Sequence, residues 1–305
     1  MAAIVGTTGA DAFEGARGAC RGVGYGLPVG GTVDGRPAAG AGADTVRING
    51  TGADDRWLVA TGLAFDDPDV FLFEEDAASF SPVPLRGVEH LQVNGLGGAD
   101  RLVVGEVFGT RLVANLGGTV EVDGLDSLFF NGGRGNDTLD GSGANGPLIG
   151  LGGAGDDLLT GGSGDDVLSG GAGADTLNGG AGNDTLIGGA GSDESQGGTG
   201  ADVFRYLSLP EPPPPNVRLL PERIADFSQA EGDLIDLRAI DARPDLPGNQ
   251  AFLFADGINF IAYQPGTVRT FQGVDSTVVE ADTGQGVLTV VVQGVVTFAA
   301  DDFIL

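Results

Sequence analysis

From Gly152 to Arg205 the chain repeats every nine residues without a break, and this period restricts its folds more than any other feature. The copies read GGAGDDLLT, GGSGDDVLS, GGAGADTLN, GGAGNDTLI, GGAGSDESQ and GGTGADVFR. An earlier copy, GGRGNDTLD, occupies Gly132 to Asp140. Gly141 to Ile149 is a worn copy with Gly146 where the others carry aspartate, and Gly150-Leu151 then shifts the frame. Position 8 is Leu159, Leu168, Leu177, Leu186 and Phe204, with Ser195 the exception. A strand with one inward apolar side chain is too short to stand alone, but stacked copies bury a continuous core. A flexible glycine-rich linker would not hold an apolar residue at one phase of nine.

The pattern GGxGxDxUx, with U large and apolar, resembles the calcium-binding nonapeptide of RTX (hemolysin-type) proteins. The resemblance implies an all-β fold, a right-handed parallel β-helix or β-roll solenoid, with calcium held in its turns. It implies metal ligation by Asp137, Asp157, Asp166, Asp175, Asp184, Asp193 and Asp202 at position 6. Backbone oxygens would come from the glycines at positions 2 and 4: Gly153, Gly155, Gly162, Gly164, Gly171, Gly173, Gly180, Gly182, Gly189, Gly191, Gly198 and Gly200. The spacing has its own logic. If two nonapeptides make one coil, Asp157 lies over Asp175 and Asp193, and Asp166 over Asp184 and Asp202. At a strand spacing of about 4.8 Å, adjacent carboxylates repel by about 0.9 kcal/mol in water and roughly 3.5 at an effective dielectric of 20. An ion in each gap relieves this, and the contiguous repeats offer about four gaps or more.

Charge narrows the partners. The net charge is −28, and all 15 basic residues are arginine. Such a chain repels nucleic acid and anionic lipid, and no stretch is long and apolar enough to span a membrane. Cys20 is the single cysteine, so no disulfide framework is expected. The opening Met1-Ala2-Ala3-Ile4-Val5-Gly6 lacks the layout of a signal peptide, which leaves a cytosolic protein or a signal-independent export route. His90 is the only histidine, and neither a zinc-protease helix, a GxSxG elbow nor a P-loop lysine occurs. The chain is therefore read as no enzyme of those classes.

Three units are expected: residues 1–131 as irregular β-helix coils with degenerate repeats, 132–205 as the regular roll, and 206–305 as a β-rich cap. Diluted copies such as Gly40 to Val46 and Gly95 to Leu102, with β-rich runs between them, support coils in the first unit. A separate N-terminal β-sandwich is the alternative. After the proline run Pro210 to Pro215 come Ile224-Ala225-Asp226-Phe227, Gly232-Asp233-Leu234-Ile235-Asp236-Leu237 and a closing Asp301-Asp302-Phe303-Ile304-Leu305. Strands are expected at 251–254, 258–263, 277–280, 287–292 and 295–298. The order of these segments resembles the C-terminal region of serralysin-type proteins. That resemblance implies a secreted, extracellular protein whose tail is read by a type I secretion apparatus, and a structural, adhesive or interaction role with cell-surface or matrix glycans as candidate partners. An alternative is a polysaccharide lyase or epimerase using Asp66, Asp67, Asp69, Arg86, Arg101 and Arg111. Another is an ice-binding row through Thr138, Thr176 and Thr185, although Leu158, Asp165 and Val167 interrupt it.

Overall fold

Each nonapeptide spends its second half on a short strand and its glycine-rich first half on a turn. The computed structural model describes residues 127–209 apart from 145, residues 221–255 and 265–305. Upstream it describes the segments 12–16, 45–49, 56–61, 70–74, 83–84, 90–94 and 101–104, together with residue 99. Among the described residues there is no α-helix; the structure is all-β, with one 3₁₀ turn at Ala300–Asp302.

Two parallel sheets run the length of a β-solenoid. In the first, Ser127–Arg134, Leu148–Ala154, Val167–Ala172, Thr185–Ala190 and Val203–Arg205 follow one another. In the second, the order is Arg101–Val104, Thr138–Asp140, Leu158–Thr160, Thr176–Ala181, Glu194–Thr199 and Glu222–Ile224. Val167 pairs with Thr185 and Leu159 with Leu177, so one coil is two nonapeptides, as the period implies. The position-8 side chains point between the sheets, and Leu159, Leu168, Leu177, Leu186 and Phe204 are all buried. Ser195 takes its place in the same file between Leu177 and Ile224 and is buried too.

The frame shift is absorbed inside one strand. Gly150 pairs with Phe130 on one side and Leu168 on the other, the register of a core position. A Cβ there would collide with the side chains of Leu139 and Leu168, while fully buried Leu148, two residues earlier, packs beside it. The first sheet also continues upstream through Ala12–Ala16, Thr45–Asn49 and His90–Asn94, all parallel. Val70–Glu74 instead pairs antiparallel with Arg56–Thr61, and Val83–Pro84 antiparallel with Val70–Glu74.

The tail extends both sheets. Leu234–Asp236 and Phe303–Ile304 add parallel strands to the first. Val287–Gln293 lies parallel to Glu222–Ile224 in the second and opens an antiparallel meander with Ser276–Asp282 and Thr267–Gln272. The expected strand at 295–298 is absent. Val296 bonds instead to the Thr277 side chain, donating its N–H to Thr277 Oγ1 at 2.9 Å, while Phe298 turns inward. Phe298 packs on Phe227 and Phe303, with ring centroids 5.0 and 5.3 Å away, so aromatic rings close the core beyond Phe204. The expected strand at 258–263 and the upstream runs at 112–114 and 120–122 lie outside the described residues.

Leu168 is fully buried mid-roll, so Leu168→Ala should cost about 2–5 kcal/mol in calcium-saturated protein. Denaturant unfolding in calcium checks this; a cost below about 1 kcal/mol would mean the core is not packed as described.

Candidate metal centres in the two turn files

The turns from the first sheet to the second carry Asp137, Asp157, Asp175 and Asp193 in one file. The return turns carry Asp166, Asp184 and Asp202 in another. All seven are between 1% and 3% exposed, which is extreme for carboxylates. Five of the Oδ1 atoms accept the backbone N–H of the aspartate one rung earlier: Asp137 N–H donates to Asp157 at 2.7 Å, Asp157 to Asp175 at 2.8 Å, and Asp175 to Asp193 at 2.9 Å. In the other file Asp166 N–H donates to Asp184 at 2.7 Å and Asp184 to Asp202 at 2.9 Å.

The second oxygens are different. Oδ2 of Asp157, Asp175, Asp184, Asp193 and Asp202 is buried and has no hydrogen-bond partner. A buried charged oxygen left so costs more than the roughly 1–3 kcal/mol of a neutral one. The turn leaves room for it only because position 1 is glycine: a Cβ on Gly152, Gly170, Gly179, Gly188 or Gly197 would strike the carboxylate of its own repeat. At positions 2 and 4 successive turns approach closely. Gly153 and Gly155 have left-handed φ of 121° and 131°, and a Cβ on either would collide with the carbonyl oxygens of Gly133 and Gly135 one rung earlier. The same close approach recurs up the roll at Gly171, Gly173, Gly180, Gly182, Gly189, Gly191, Gly198 and Gly200. Among the described residues no three His, Cys, Asp or Glu side chains converge. An ion here must therefore draw on turn carbonyls beside its carboxylates, an all-oxygen set suited to a hard cation taking six to eight ligands.

Not every sequence-predicted residue behaves alike. Gly162 and Gly164 lack the left-handed φ of their counterparts; they lie over the worn copy, where a Cβ would meet the Ala144 and Gly146 backbones. Asp166 has both oxygens engaged: Oδ1 accepts from Leu148 N–H at 2.8 Å and Oδ2 from Gly162 N–H at 2.6 Å. With Gly146 below it, this turn has no second carboxylate. Conversely, the copy at 132–140 stacks directly on the contiguous block despite the shift, so Asp137 joins Asp157 in a pair that the contiguous count of four gaps leaves out.

Burial, more than mutual repulsion, sets the protonation of these groups. It pushes Asp157, Asp166 and Asp202 up to about 6 and Asp175 and Asp184 to about 7. Neighbouring charges add to it, Asp193 and Asp157 on Asp175, and Asp166 and Asp202 on Asp184, while the backbone N–H donors oppose it. Asp193 is raised by burial as well. The repulsion argued from the spacing is real but secondary.

Sequence reasoning missed three features. At position 5, Asn136 Oδ1 accepts Asp156 N–H at 3.0 Å and Asp156 accepts Ala174 N–H at 2.8 Å. Asp165 and Asn183 do the same for Asn183 and Ala201, so an outer Asx ladder runs beside each inner file. The recurrence of Asn or Asp at that phase was the available signal. The tail also supplies acids to both files: Glu222 above Asp193, and Asp233 above Asp202. Burial, then the Asp193 charge, pushes Glu222 up to about 8. Asp226 holds the last turn, accepting Gly197 and Gly198 N–H at 2.9 Å each.

Of the alternative sites, Asp66, Asp67, Asp69, Arg86 and Arg111 lie outside the described residues; Arg101 is a half-buried strand residue opposite Thr138. No threonine row forms: Leu158 separates Thr138 from Thr176 on one sheet, and Thr185 sits between Val167 and Val203 on the other. No described helix is long and apolar enough to cross a membrane.

Residues 129–145, 151–186 and 169–204 match the family described as the RTX calcium-binding nonapeptide repeat (4 copies). No curated protein matches the chain. Among solved structures, the AlgE6R3 subunit from the Azotobacter vinelandii mannuronan C5-epimerase is similar at 29% identity over 49% of this chain and 78% of its own, with a TM-score of 0.35. The chain carries RTX calcium-binding repeats wound into a parallel β-roll, and calcium is the ion that this roll takes.

Proposed function

We propose that this is a secreted calcium-dependent protein whose roll folds when calcium fills its two turn files, and that the folded roll presents a structural, adhesive or interaction surface outside the cell. One observation carries the reading: the buried Oδ2 atoms of Asp157, Asp175, Asp184, Asp193 and Asp202 have no partner of their own. Asp137, Asp157, Asp175 and Asp193 hold ions along one file, and Asp184 and Asp202 with Asp166 along the other. The carbonyls of the position-2 and position-4 glycines complete each shell. Calcium supplies the positive charge that lets these acids stay ionised while buried; the chain supplies only oxygens and the glycine turns that bring them together.

Where calcium is scarce, the buried charges and the chain entropy of 57 glycines favour the open chain. An open chain suits passage through an export channel, and the likeness of residues 132–305 to the C-terminal region of serralysin-type proteins supports a type I route. Millimolar calcium outside then makes binding energy into folding energy. Residues 1–131, 132–205 and 206–305 act on this reading as wide coils, calcium-binding roll and cap with export signal.

Far-UV circular dichroism of the purified chain tests it. In chelator the β signal should be largely lost, and millimolar calcium should restore it with a cooperative midpoint. A roll that keeps its full β signal in chelator would falsify the coupling of binding to folding.

A further inference from the structure

The nonapeptides end at Arg205, yet the file of turn carboxylates runs on past them. Above the Asp193 turn the next rung is the strand Glu222–Ile224, in which Arg223 pairs with Glu194 and Ile224 with Ser195. That register stands Glu222 over Asp193. Glu222 Oε2 accepts the Asp193 N–H at 3.3 Å, the same bond that Asp193 Oδ1 makes to Asp175 N–H at 2.9 Å one rung lower. A residue outside the repeat has thus taken the part of a position-6 aspartate, across an intervening stretch of 16 residues, 206–221.

Among the described residues nothing neutralises the pair. Glu222 is 6% exposed and Asp193 2%, and Asp193 Oδ2 is buried without a partner. The described arginines nearby are committed elsewhere: Arg223 reaches outward to Glu194 at 3.5 Å, and Arg205 to Asp236 at 2.9 Å. The close uncharged neighbour is the Tyr206 phenol, whose ionisation is suppressed by burial and by the Glu222 and Asp193 charges. The corresponding acid over the other file, Asp233, is unlike it, since its oxygens accept Asp202 N–H at 3.0 Å and Ser228 N–H at 2.7 Å.

The geometry points to a further divalent-cation site shared by Asp193 and Glu222, in which a calcium ion fastens the C-terminal segment to the roll. It rests on the calcium reading of the repeats and adds a ligand that the repeat pattern does not contain. The strand that Glu222 opens also carries Val287–Gln293, so an ion held there orders the junction of roll and meander.

The test counts calcium bound per full-length chain at saturation, with amide hydrogen exchange as a second readout. Glu222→Gln keeps the oxygen that accepts Asp193 N–H and removes the charge; it should bind one ion fewer than the wild-type chain. Calcium-dependent protection should fall at Glu222–Ile224 and Val287–Gln293 and persist at Leu158–Thr160 and Thr176–Ala181. Glu231→Gln, the same charge change at an exposed position of the tail, should keep the full count. Should Glu222→Gln fail to fold in calcium, Glu222→Asp keeps the charge on a shorter reach and should weaken the last binding step several-fold. An unchanged count in Glu222→Gln, or an unchanged last step in Glu222→Asp, overturns the shared site while leaving the repeats as calcium sites. A wild-type chain that binds no calcium overturns both.

Discussion

In calcium-free buffer the roll should become more stable as pH falls from 8 to 5, whereas in millimolar calcium the same change should weaken it. Asp157, Asp166 and Asp202 titrate near 6 in the folded roll and Asp175 and Asp184 near 7, against an ordinary value of 3.8. For an acid raised on folding, the stabilising contribution is complete below the unfolded value and is lost as pH rises through the folded one. The window therefore runs from about 4 to about 7, and each group costs the ionised, ion-free roll on the order of 3 kcal/mol. With calcium present the acids must be ionised to serve as ligands, so protons compete with the ion and the slope reverses. Asp236 bounds the window below: Arg238 and Arg205 hold it at about 2, so its ion pairs persist until strongly acid solution. A sequence pI of about 4.1 also argues for stopping near pH 5, short of precipitation. Thermal unfolding with chelator and with calcium, at several pH values, gives the two slopes. Slopes of the same sign in both buffers would remove burial as the dominant cost.

Asp175→Ala should raise the calcium concentration at half-folding by about tenfold or more, the equivalent of at least about 1.4 kcal/mol. Asp166→Ala should raise it by distinctly less. Asp175 stands between Asp157 and Asp193 in its file, with Oδ2 open to an ion on burial. Asp166 has a carboxylate on one side only and has already given Oδ2 to Gly162 N–H. Asp157→Ala belongs with Asp175→Ala, because Asp137 lies beneath it. Calcium titrations followed by circular dichroism rank the three, and equal midpoints for Asp175→Ala and Asp166→Ala would contradict the geometry of the files.

The roll was legible because its determinants are periodic. Position 8 fixes the core, position 6 the files, and a period of nine in a two-sided coil fixes which residues stack. What escaped was aperiodic or paired over long range. Gly150 reads as a frame error, yet the strand absorbs it because glycine leaves space for Leu139 and Leu168. Gly162 and Gly164 look identical to their counterparts in sequence, yet over the worn turn they lack the left-handed φ, which no local pattern announces. Glu222 and Asp233 follow no period and find their files only because Glu222–Ile224 and Leu234–Asp236 dock on the last rungs. The loss of a strand at 295–298 has the same origin, since a buried threonine hydroxyl took the place of a neighbouring backbone.

The inner hydrogen bonds all run one way along the chain. Asp175 reaches back to the amide of Asp157, Asp193 to that of Asp175, and Glu222 to that of Asp193. Every coil is thus finished by residues made at least 18 positions later. A polypeptide emerging with its amino end leading always carries one incomplete coil at the exit, awaiting an acid still behind it. Glu222 and Asp233, both beyond the last nonapeptide, complete the two files, so the roll can close only after residue 233 has emerged.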